Sequence, residues 1–297
     1  MNSFTISQLQ RYSGINVHSI RAWEKRYNAL QPERSEGNTR YYSGNQLRRL
    51  LNIGGLMNLD YKISELCAMP DSKLNELMSR NLEKETSNNN DELLISQLVV
   101  SALEFSEPLF DKIFSRALIR FGVEGAYLNL IYPALQRLGV MWLADKIAPA
   151  QEHFITNLIR QKLNTAIDLL TINESSKNHW LQFLPENEFH DTGLLFSNYL
   201  VRNAGHRCTY LGANVPHDAL KEAVKMIKPT ALLCFLVTKD DVKQDEQFVR
   251  QMMKSFPLQK IFVAAEQGRL GKIESGKNFT HLKSIQDLNE ELKMMSK

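Results

Sequence analysis

The sequence predicts a multidomain α/β protein with an N-terminal winged helix-turn-helix, a central four-helix bundle and a C-terminal doubly wound parallel sheet. Three observations support this prediction. A helix, tight-turn, helix pattern occupies the first 27 residues, and a short hairpin pattern follows it. Residues 92–171 repeat apolar side chains at helical spacing, and from His179 onward short apolar runs alternate with helical segments. A length of 297 residues accommodates two or three such domains.

The N-terminal helices are marked by capping signals. Thr5 is a candidate N-cap for the first helix, and Gly14 suits the left-handed position that ends it. A second helix is expected over residues 16–27. Its expected buried stripe consists of Val17, Ile20, Trp23 and Tyr27. The remaining surface of this second helix is basic.

Positive charge is concentrated in this part of the chain. Residues 1–50 contain eight Lys or Arg and three Asp or Glu, a net charge of +5, whereas the rest of the chain has a net charge of −2. A basic N-terminal segment on a nearly neutral chain indicates an anion-binding surface. A solvated charged face would have the same composition. In the hairpin, Arg40 has the geometry to bind a phosphate, and a neighbouring Tyr hydroxyl adds a neutral hydrogen bond.

These motifs resemble the MerR family of transcriptional regulators. Three segments carry the resemblance: Val17–Tyr27, Leu30-x-Pro32-x-Arg34, and Asn38-Thr39-Arg40-Tyr41-Tyr42, in which Asn38-Thr39 replaces the usual Gly-Tyr. The resemblance implies binding of double-stranded operator DNA, with the second helix at the major groove and the wing on the backbone. The DNA-binding residues that it implies are His18, Arg21, Lys25, Arg26, Arg40 and Tyr41. Trp23 is interpreted as a core residue. Tyr42 has two equally weighted interpretations, a core residue or a DNA contact.

The domain boundaries follow from changes in composition. A polar stretch that starts helical separates the head from the bundle, and the helical period ends near residue 171. The expected boundaries are 1–75 for the DNA-binding domain, 76–91 for a linker, 92–175 for the bundle and 178–297 for the sheet domain.

The first strand of the sheet leads into a chemically distinctive segment, Glu188-Phe189-His190-Asp191-Thr192-Gly193. Ligands of doubly wound sheets bind at the carboxyl ends of the strands, where this segment lies. Glu188 or Asp191 can hold one ring nitrogen of His190 and fix its tautomer. The alternative is that His190 only caps the start of the next helix.

This segment and a second one in the bundle resemble the cobalamin-dependent MerR-type repressors of the CarH type, whose sheet domain is a cobalamin-binding Rossmann-like fold. Both the E-x-H-x-x-G pattern and a Trp separated by nine residues from a Glu-His pair are present. The resemblance implies that Trp142, Glu152 and His153 surround the adenosyl group of adenosylcobalamin or a related corrinoid. It also implies that His190 is the lower axial ligand of cobalt and that Gly193 gives room to the nucleotide tail of the cofactor.

Three departures from that pattern bear on the cofactor. Leu143 stands where light-sensing members carry a His, and its side chain cannot ligate cobalt, so the resemblance does not extend to a light response through that position. Cys234-Phe235-Leu236 replaces the usual S-x-L, and Ala264-Ala265 replaces the usual Gly-Gly. Both segments are expected to line the slot for the nucleotide tail, with Cys234 as a cofactor-binding residue, and their added bulk narrows the slot.

The leading functional hypothesis is a cytoplasmic, homo-oligomeric regulator, a dimer or tetramer, that binds operator DNA and senses a corrinoid. The alternative is a MerR-type regulator whose degenerate sensory half binds another ligand or only oligomerises. A corrinoid-carrying methyltransferase-type protein is a third hypothesis, which the DNA-binding head disfavours, and no enzyme activity is expected.

No apolar run is long enough to span a membrane, and the three scattered cysteines favour reduced thiols.

Overall fold

The computed structural model describes residues 3–35, 37–57, 59, 61–83, 91–143, 147–238, 242–266, 268–270, 273, 276 and 278–296. The chain divides into two units, Met1–Leu158 and Ile159–Lys297. Among the described residues, no helix is both long enough and apolar enough to cross a membrane.

The first unit begins with a helix-turn-helix and a small sheet. Helices α1 (Ile6–Ser13) and α2 (Val17–Tyr27) are joined by a turn in which Gly14 adopts a φ of 73°. Thr5 caps α1 through a capping box with Gln8, as its side chain predicts. Strands β1 (Ser3–Phe4), β2 (Glu33–Arg34) and β3 (Arg40–Ser43) form an antiparallel sheet in the order β1-β3-β2. The winged helix-turn-helix prediction is therefore confirmed.

Two details of the head differ from the sequence expectation. Strand β1 was not predicted, because two residues carry no periodicity that could reveal it. Within α2 only Ile20 is fully buried, whereas Trp23 and Tyr27 are half-buried. Tyr42 is fully buried, which makes it a core residue of the head.

The head continues into helices that connect it with the bundle. These helices are α3 (Gly44–Leu56), α4 (Ile63–Ala68) and α5 (Asp71–Glu83). Helix α6 (Asp91–Leu103) is buried over nearly its whole circumference, because it packs against α3 on one side and against the bundle on the other. The side chain of Gln97 on α6 donates a 2.9 Å hydrogen bond to Asn52 on α3. The DNA-binding head thus shares one packed interior with the helical region.

The rest of the helical region consists of α7 (Glu107–Ala126), a π-helical turn (Tyr127–Ile131), α8 (Tyr132–Leu143) and α9 (Pro149–Asp168). Helix α7 is interrupted at Gly122, whose φ of 67° lies outside the helical range. The π-helical turn precedes Pro133, which has no backbone N–H to continue a regular helix.

The second unit contains a five-stranded parallel sheet in the order β5-β4-β6-β7-β8. The strands are β4 (His179–Pro185), β5 (Arg207–Val215), β6 (Ala231–Leu236), β7 (Lys260–Ala265) and β8 (Phe279–Leu282). The helices are α10 (Thr192–Asn203), α11 (His217–Ile227), α12 (Val242–Ser255) and α13 (Ile285–Met295). The predicted doubly wound parallel sheet is confirmed.

The two faces of this sheet have different coverings. One face packs a hydrophobic core that includes Leu181, Phe183 and Cys234 against α11 and α12. The other face carries the alternate residues of the same strands and packs against α10. Strand β8 was not predicted.

Candidate functional site

The exposed surface of α2 carries the basic residues that the sequence analysis selected. His18, Arg21, Lys25 and Arg26 are all solvent-exposed. At 3.6 residues per turn, His18, Arg21 and Lys25 share one face of α2, on the side away from the buried Ile20. Such a face can enter a DNA major groove, because it presents charged and hydrogen-bonding groups without an apolar interruption.

The wing is fastened to α2 by one carboxylate. Glu24 accepts a hydrogen bond from the Tyr42 hydroxyl, and its second oxygen lies 3.2 Å from Arg40 Nε. Burial and the hydrogen bond to Glu24 raise the pKa of Tyr42, so its hydroxyl stays protonated as the donor. Arg40 and Tyr41 are half-buried on β3, and the contact with Glu24 holds Arg40 beside α2. The sequence analysis gave Glu24 no role, although a lone acidic side chain on a basic helix was a usable signal.

The change from Gly-Tyr to Asn38-Thr39 in the wing is accommodated by backbone conformation. Asn38 adopts a φ of 61°, a left-handed conformation that Asn tolerates better than other residues with a Cβ. Its backbone N–H donates to Ser35, and Arg34 donates to its side chain. The substitution therefore keeps the turn that the hairpin needs.

In the helical region, Trp142 and the Glu152-His153 pair lie at the surface of the first unit. The indole of Trp142 is 47% exposed, whereas Trp180 of the sheet domain is fully buried. Trp142 is therefore not a core residue of its own unit. His153 Nδ1 lies 2.9 Å from Glu152 Oε2, so these two side chains form a partly exposed pair. The side chain of Leu143 lies outside the described residues.

In the sheet domain, the strand order defines where a ligand is expected. The chain runs from β4 to β5 on one side and then crosses to β6 on the other side, so the strand order reverses between β4 and β6. Crevices at such switch points, outside the carboxyl ends of the strands, bind ligands in open α/β sheets. Glu188 and His190 follow β4, and Val237 and Thr238 follow β6, so both segments lie at this crevice.

Glu188 holds His190 by its ring. His190 Nδ1 donates to Glu188 Oε1 over 2.7 Å, while the His190 side chain is 60% exposed. This contact leaves Nε2 as the nitrogen through which the imidazole would bind a metal. The sequence offered two carboxylates, Glu188 and Asp191, as the partner of the His190 ring. The structure places Glu188 at the ring, whereas Asp191 lies 2.7 Å from the guanidinium of Arg160.

Four backbone amides fix the Glu188 carboxylate in turn. Phe189 and His190 donate to Oε1, and Val237 and Thr238 donate to Oε2, over 2.7–3.1 Å. Burial raises the pKa of Glu188, but the hydrogen bonds from His190, Thr238 and Val237 outweigh burial and hold it well below its usual range. The carboxylate is therefore ionised at neutral pH and keeps the proton of His190 on Nδ1.

Arg269 anchors the segment that supplies two of these amides. It donates to the carbonyl oxygens of Leu236 and Thr238, and its Nε lies 2.6 Å from Asp245 Oδ2. The sequence analysis missed this residue, because 79 positions separate it from His190 and nothing local marks it.

Two predicted cofactor residues, Gly193 and Cys234, have different surroundings. A Cβ at Gly193 would lie 3.1 Å from the ring of Phe235, so that ring occupies the space beside the glycine. Cys234 is buried in the core against α11 and α12, where burial raises the pKa of its thiol. The structure therefore brings Phe235, and not Cys234, to the crevice at Gly193, because alternate residues of a strand point to opposite faces.

The donor set fits a corrinoid on its cobalt-binding side. A corrin ring supplies the equatorial ligands itself, so one imidazole held by a carboxylate is all that the protein needs to contribute there. Among the described residues, no group of three or more His, Cys, Asp or Glu is arranged to hold a metal ion. Phe235 leaves less room beside Gly193 than a side chain without a ring would.

Comparisons with known proteins identify related domains in the head and in the helical region. The model of the MerR HTH family regulatory protein matches residues 4–69, and the model of the B12 binding domain matches residues 94–166. The chain is 24% identical to the HTH-type transcriptional repressor CarH of Myxococcus xanthus over 86% of each chain. It is 29% identical to the HTH-type transcriptional repressor CarA of the same organism, over 75% of this chain and 73% of the relative.

A solved structure supports the fold of the sensory half. The monomethylamine corrinoid protein of Methanosarcina barkeri superimposes with a TM-score of 0.50 at 16% identity, over 74% of this chain and 99% of that one. Together, the head, the helical region and the sheet define a DNA-binding transcriptional regulator joined to a B12-binding sensory half. Within that class, the chain is a CarH-like regulator of the MerR type.

Proposed function

We propose that the protein binds operator DNA through α2 and the wing, and that its sensory half binds adenosylcobalamin or a related corrinoid with His190 as the lower axial ligand. The observation that carries this proposal is the exposed imidazole of His190, held by Glu188 at the switch point of the sheet. The same chain presents an exposed basic helix in a winged helix-turn-helix.

The residues around His190 prepare one nitrogen for cobalt. When bound, the corrinoid supplies a cobalt ion whose lower face accepts a protein nitrogen. Glu188 holds the proton on Nδ1, so Nε2 is the ring nitrogen that would bind the cobalt. The amides of Val237 and Thr238 hold Glu188, and Arg269 holds the carbonyl oxygens of Leu236 and Thr238 in the same segment, so these residues position the ring indirectly.

The upper side of the cofactor is assigned to the helical region by family resemblance. Trp142, Glu152 and His153 are proposed to contact the adenosyl group. Trp142 is 47% exposed, so its side chain is accessible for this contact. Leu143 has no nitrogen, so a second histidine ligand from that position is not available.

DNA binding is assigned to His18, Arg21, Lys25, Arg26, Arg40 and Tyr41, the residues on the exposed face of α2 and on β3. The protein is proposed to act as a homo-oligomer, a dimer or tetramer, in which corrinoid binding changes the affinity for DNA. Its role is regulation without catalysis, as for the two repressors that it resembles.

One observation favours a second function. The ring of Phe235 fills the space beside Gly193, where the resemblance places the nucleotide tail. A site closed in this way would leave a DNA-binding regulator whose second half only oligomerises or binds a different ligand.

Gel filtration after mixing in the dark separates the two functions. We expect adenosylcobinamide, which carries no base of its own, to co-elute with the wild-type chain and to show the absorption change of nitrogen coordination. His190→Ala should remove that change, whereas His179→Ala, at the opposite end of β4, should retain it. A colourless protein peak with both adenosylcobinamide and adenosylcobalamin would establish the second function instead.

A further inference from the structure

A cleft of about 470 Å³ lies at the amino end of the parallel sheet, at the opposite end of β4 from His190. Its lining comes from the first residues of β4 and β5, from the last turn of α10 and from the segment that precedes β4. This volume is within the range of small-molecule sites, about 300–1,000 Å³. The proposed corrinoid function makes no use of this cleft.

Two arginines supply the positive charge of the cleft. Arg202, in the last turn of α10, is fixed by its own hydrogen bonds: Nε donates to Asn198 over 2.8 Å, and Nη2 donates to the carbonyl oxygen of Cys208 over 3.0 Å. Arg207, the first residue of β5, is exposed. Within the part of the chain that the structure describes, neither guanidinium is paired with a carboxylate. Both therefore keep a positive charge for an anion, and the planar guanidinium is suited to phosphate.

The sheet side of the cleft is neutral. His179 is the register partner of Arg207, and Thr209 lies two residues further along β5 on the same side. His179 Nε2 lies 2.8 Å from Thr209 Oγ1, so these two side chains satisfy each other. Burial and the charge of Arg207 lower the pKa of His179, so its ring is uncharged at neutral pH. The charge that faces a ligand is therefore that of the two guanidinium groups.

The segment before β4 contributes a carboxylate to the cleft. Glu174 is exposed at the lining. Its neighbour Asn173 donates a 2.8 Å hydrogen bond to the carbonyl oxygen of Gly205, which ties the segment to the turn between α10 and β5. An ionised carboxylate only accepts hydrogen bonds, so Glu174 repels a bare anion and binds hydroxyl groups. The lining thus suits a ligand that has an anionic end and a hydroxyl-bearing end.

We propose that this cleft binds a sugar phosphate, with the phosphate on Arg202 and Arg207 and the sugar hydroxyl groups on Glu174. The site lies outside the corrinoid site and goes beyond the proposed function. A phosphate monoester offers several oxygens, which two guanidinium groups can share through charge-assisted hydrogen bonds. A carboxylate on a sugar diol is a recurrent pairing in α/β domains. The concave shape and Glu174 favour a small ligand over a DNA backbone, which would bring further negative charge to the carboxylate.

Isothermal titration calorimetry of the full-length chain with ribose 5-phosphate, inorganic phosphate and ribose tests the proposal. The wild type should bind ribose 5-phosphate at least about tenfold more tightly than either of the other two. Arg207→Ala should weaken that binding at least about tenfold, because it removes charge-assisted hydrogen bonds. Arg250→Ala, an exposed cation on α12, is the matched control and should leave the affinity unchanged.

Glu174→Ala provides a readout that a merely structural role would not give. It should weaken the binding of ribose 5-phosphate and strengthen the binding of inorganic phosphate, because it removes a hydroxyl acceptor and a repulsive charge together. A distorted cleft would instead lose both ligands. Glu222→Ala, an exposed carboxylate on α11, should change neither affinity. His190→Ala should also leave both unchanged, which separates this site from the corrinoid site.

Three results would overturn the proposal. The first is equal affinity of the wild type for ribose 5-phosphate and inorganic phosphate, or no binding of either. The second is an Arg207→Ala variant that binds ribose 5-phosphate like the wild type. The third is an Arg207→Ala variant that loses affinity for duplex DNA and keeps its affinity for ribose 5-phosphate, which would assign this cation to the nucleic acid.

Discussion

Glu24 in the head and Glu188 in the sheet domain are nearly buried carboxylates that hold functional side chains, but they hold them differently. Glu24 binds two side chains, Tyr42 and Arg40, and joins a helix to a strand. Glu188 accepts four backbone amides and one imidazole, and joins two loops. Loss of Glu188 therefore disrupts main-chain structure, whereas loss of a Glu24 contact disturbs only the position of the wing.

The largest effect is expected for Glu188→Ala. This change leaves four amides of residues 189, 190, 237 and 238 without their acceptor, and it should lower the free energy of unfolding by about 3 kcal/mol. Denaturant titration followed by the fluorescence of Trp180 would measure it. Glu186→Ala, at an exposed position in the same loop, is the control and should change stability by less than about 0.5 kcal/mol. Equal changes in the free energy of unfolding of the two variants would contradict the structural role of Glu188.

Acid should weaken the same contact. Since folding lowers the pKa of Glu188, its contribution to stability is fully present above the ordinary value of 4.5 and is lost as the pH falls through the lowered value. The wild type should therefore be more stable than Glu188→Gln at neutral pH, and the difference should shrink progressively below pH 4.5. A difference that grows toward acid would contradict the assignment of an ionised carboxylate.

On the head, Arg21→Ala should weaken DNA binding about tenfold and reduce the slope of log affinity against log salt by about 1. The probe is a duplex selected by the wild-type protein from a random-sequence pool, measured by fluorescence anisotropy at several salt concentrations. Lys73→Ala, an exposed cation on α5, should leave both values unchanged. An unchanged affinity of Arg21→Ala for the duplex would contradict the assignment of α2 to the DNA interface.

The smallest effect is expected for Tyr42→Phe, which removes one donor from Glu24 and should cost about 1 kcal/mol of stability. Tyr12→Phe is the matched change in the same unit. The Tyr12 hydroxyl is buried and has no hydrogen-bond partner among the described residues, so its removal should be neutral or stabilising. Thermal unfolding of the two variants side by side tests whether Glu24 fastens the wing. A Tyr42→Phe variant as stable as Tyr12→Phe would show that it does not.

The contrast between the two carboxylates also explains what the sequence could predict. The capped helices α1 and α2, the alternation of strands and helices, and the basic face of α2 are local patterns, so they could be read directly. The candidacy of His190 could be read as well, because Glu188 lies two positions away.

Contacts between distant segments could not be predicted in the same way. The amides of Val237 and Thr238 lie 49 and 50 positions from Glu188, and only the order of the strands brings them together. The face on which a strand residue lies is equally hidden in a continuous apolar run. The resemblance selected Cys234 as a cofactor-binding residue and its segment as added bulk in the slot, and the structure brings Phe235, but not Cys234, to the crevice.

His190 is proposed to give its nitrogen to the cobalt of a bound corrinoid. Electron paramagnetic resonance of the Co(II) form of cobinamide tests this proposal most directly, because this ligand has no nitrogen base of its own. We expect splitting of the cobalt signal by one axial nitrogen in the wild type and in His179→Ala, and loss of that splitting in His190→Ala. A bound signal without nitrogen splitting, or an unchanged splitting in His190→Ala, would contradict the assignment of His190 as the cobalt ligand.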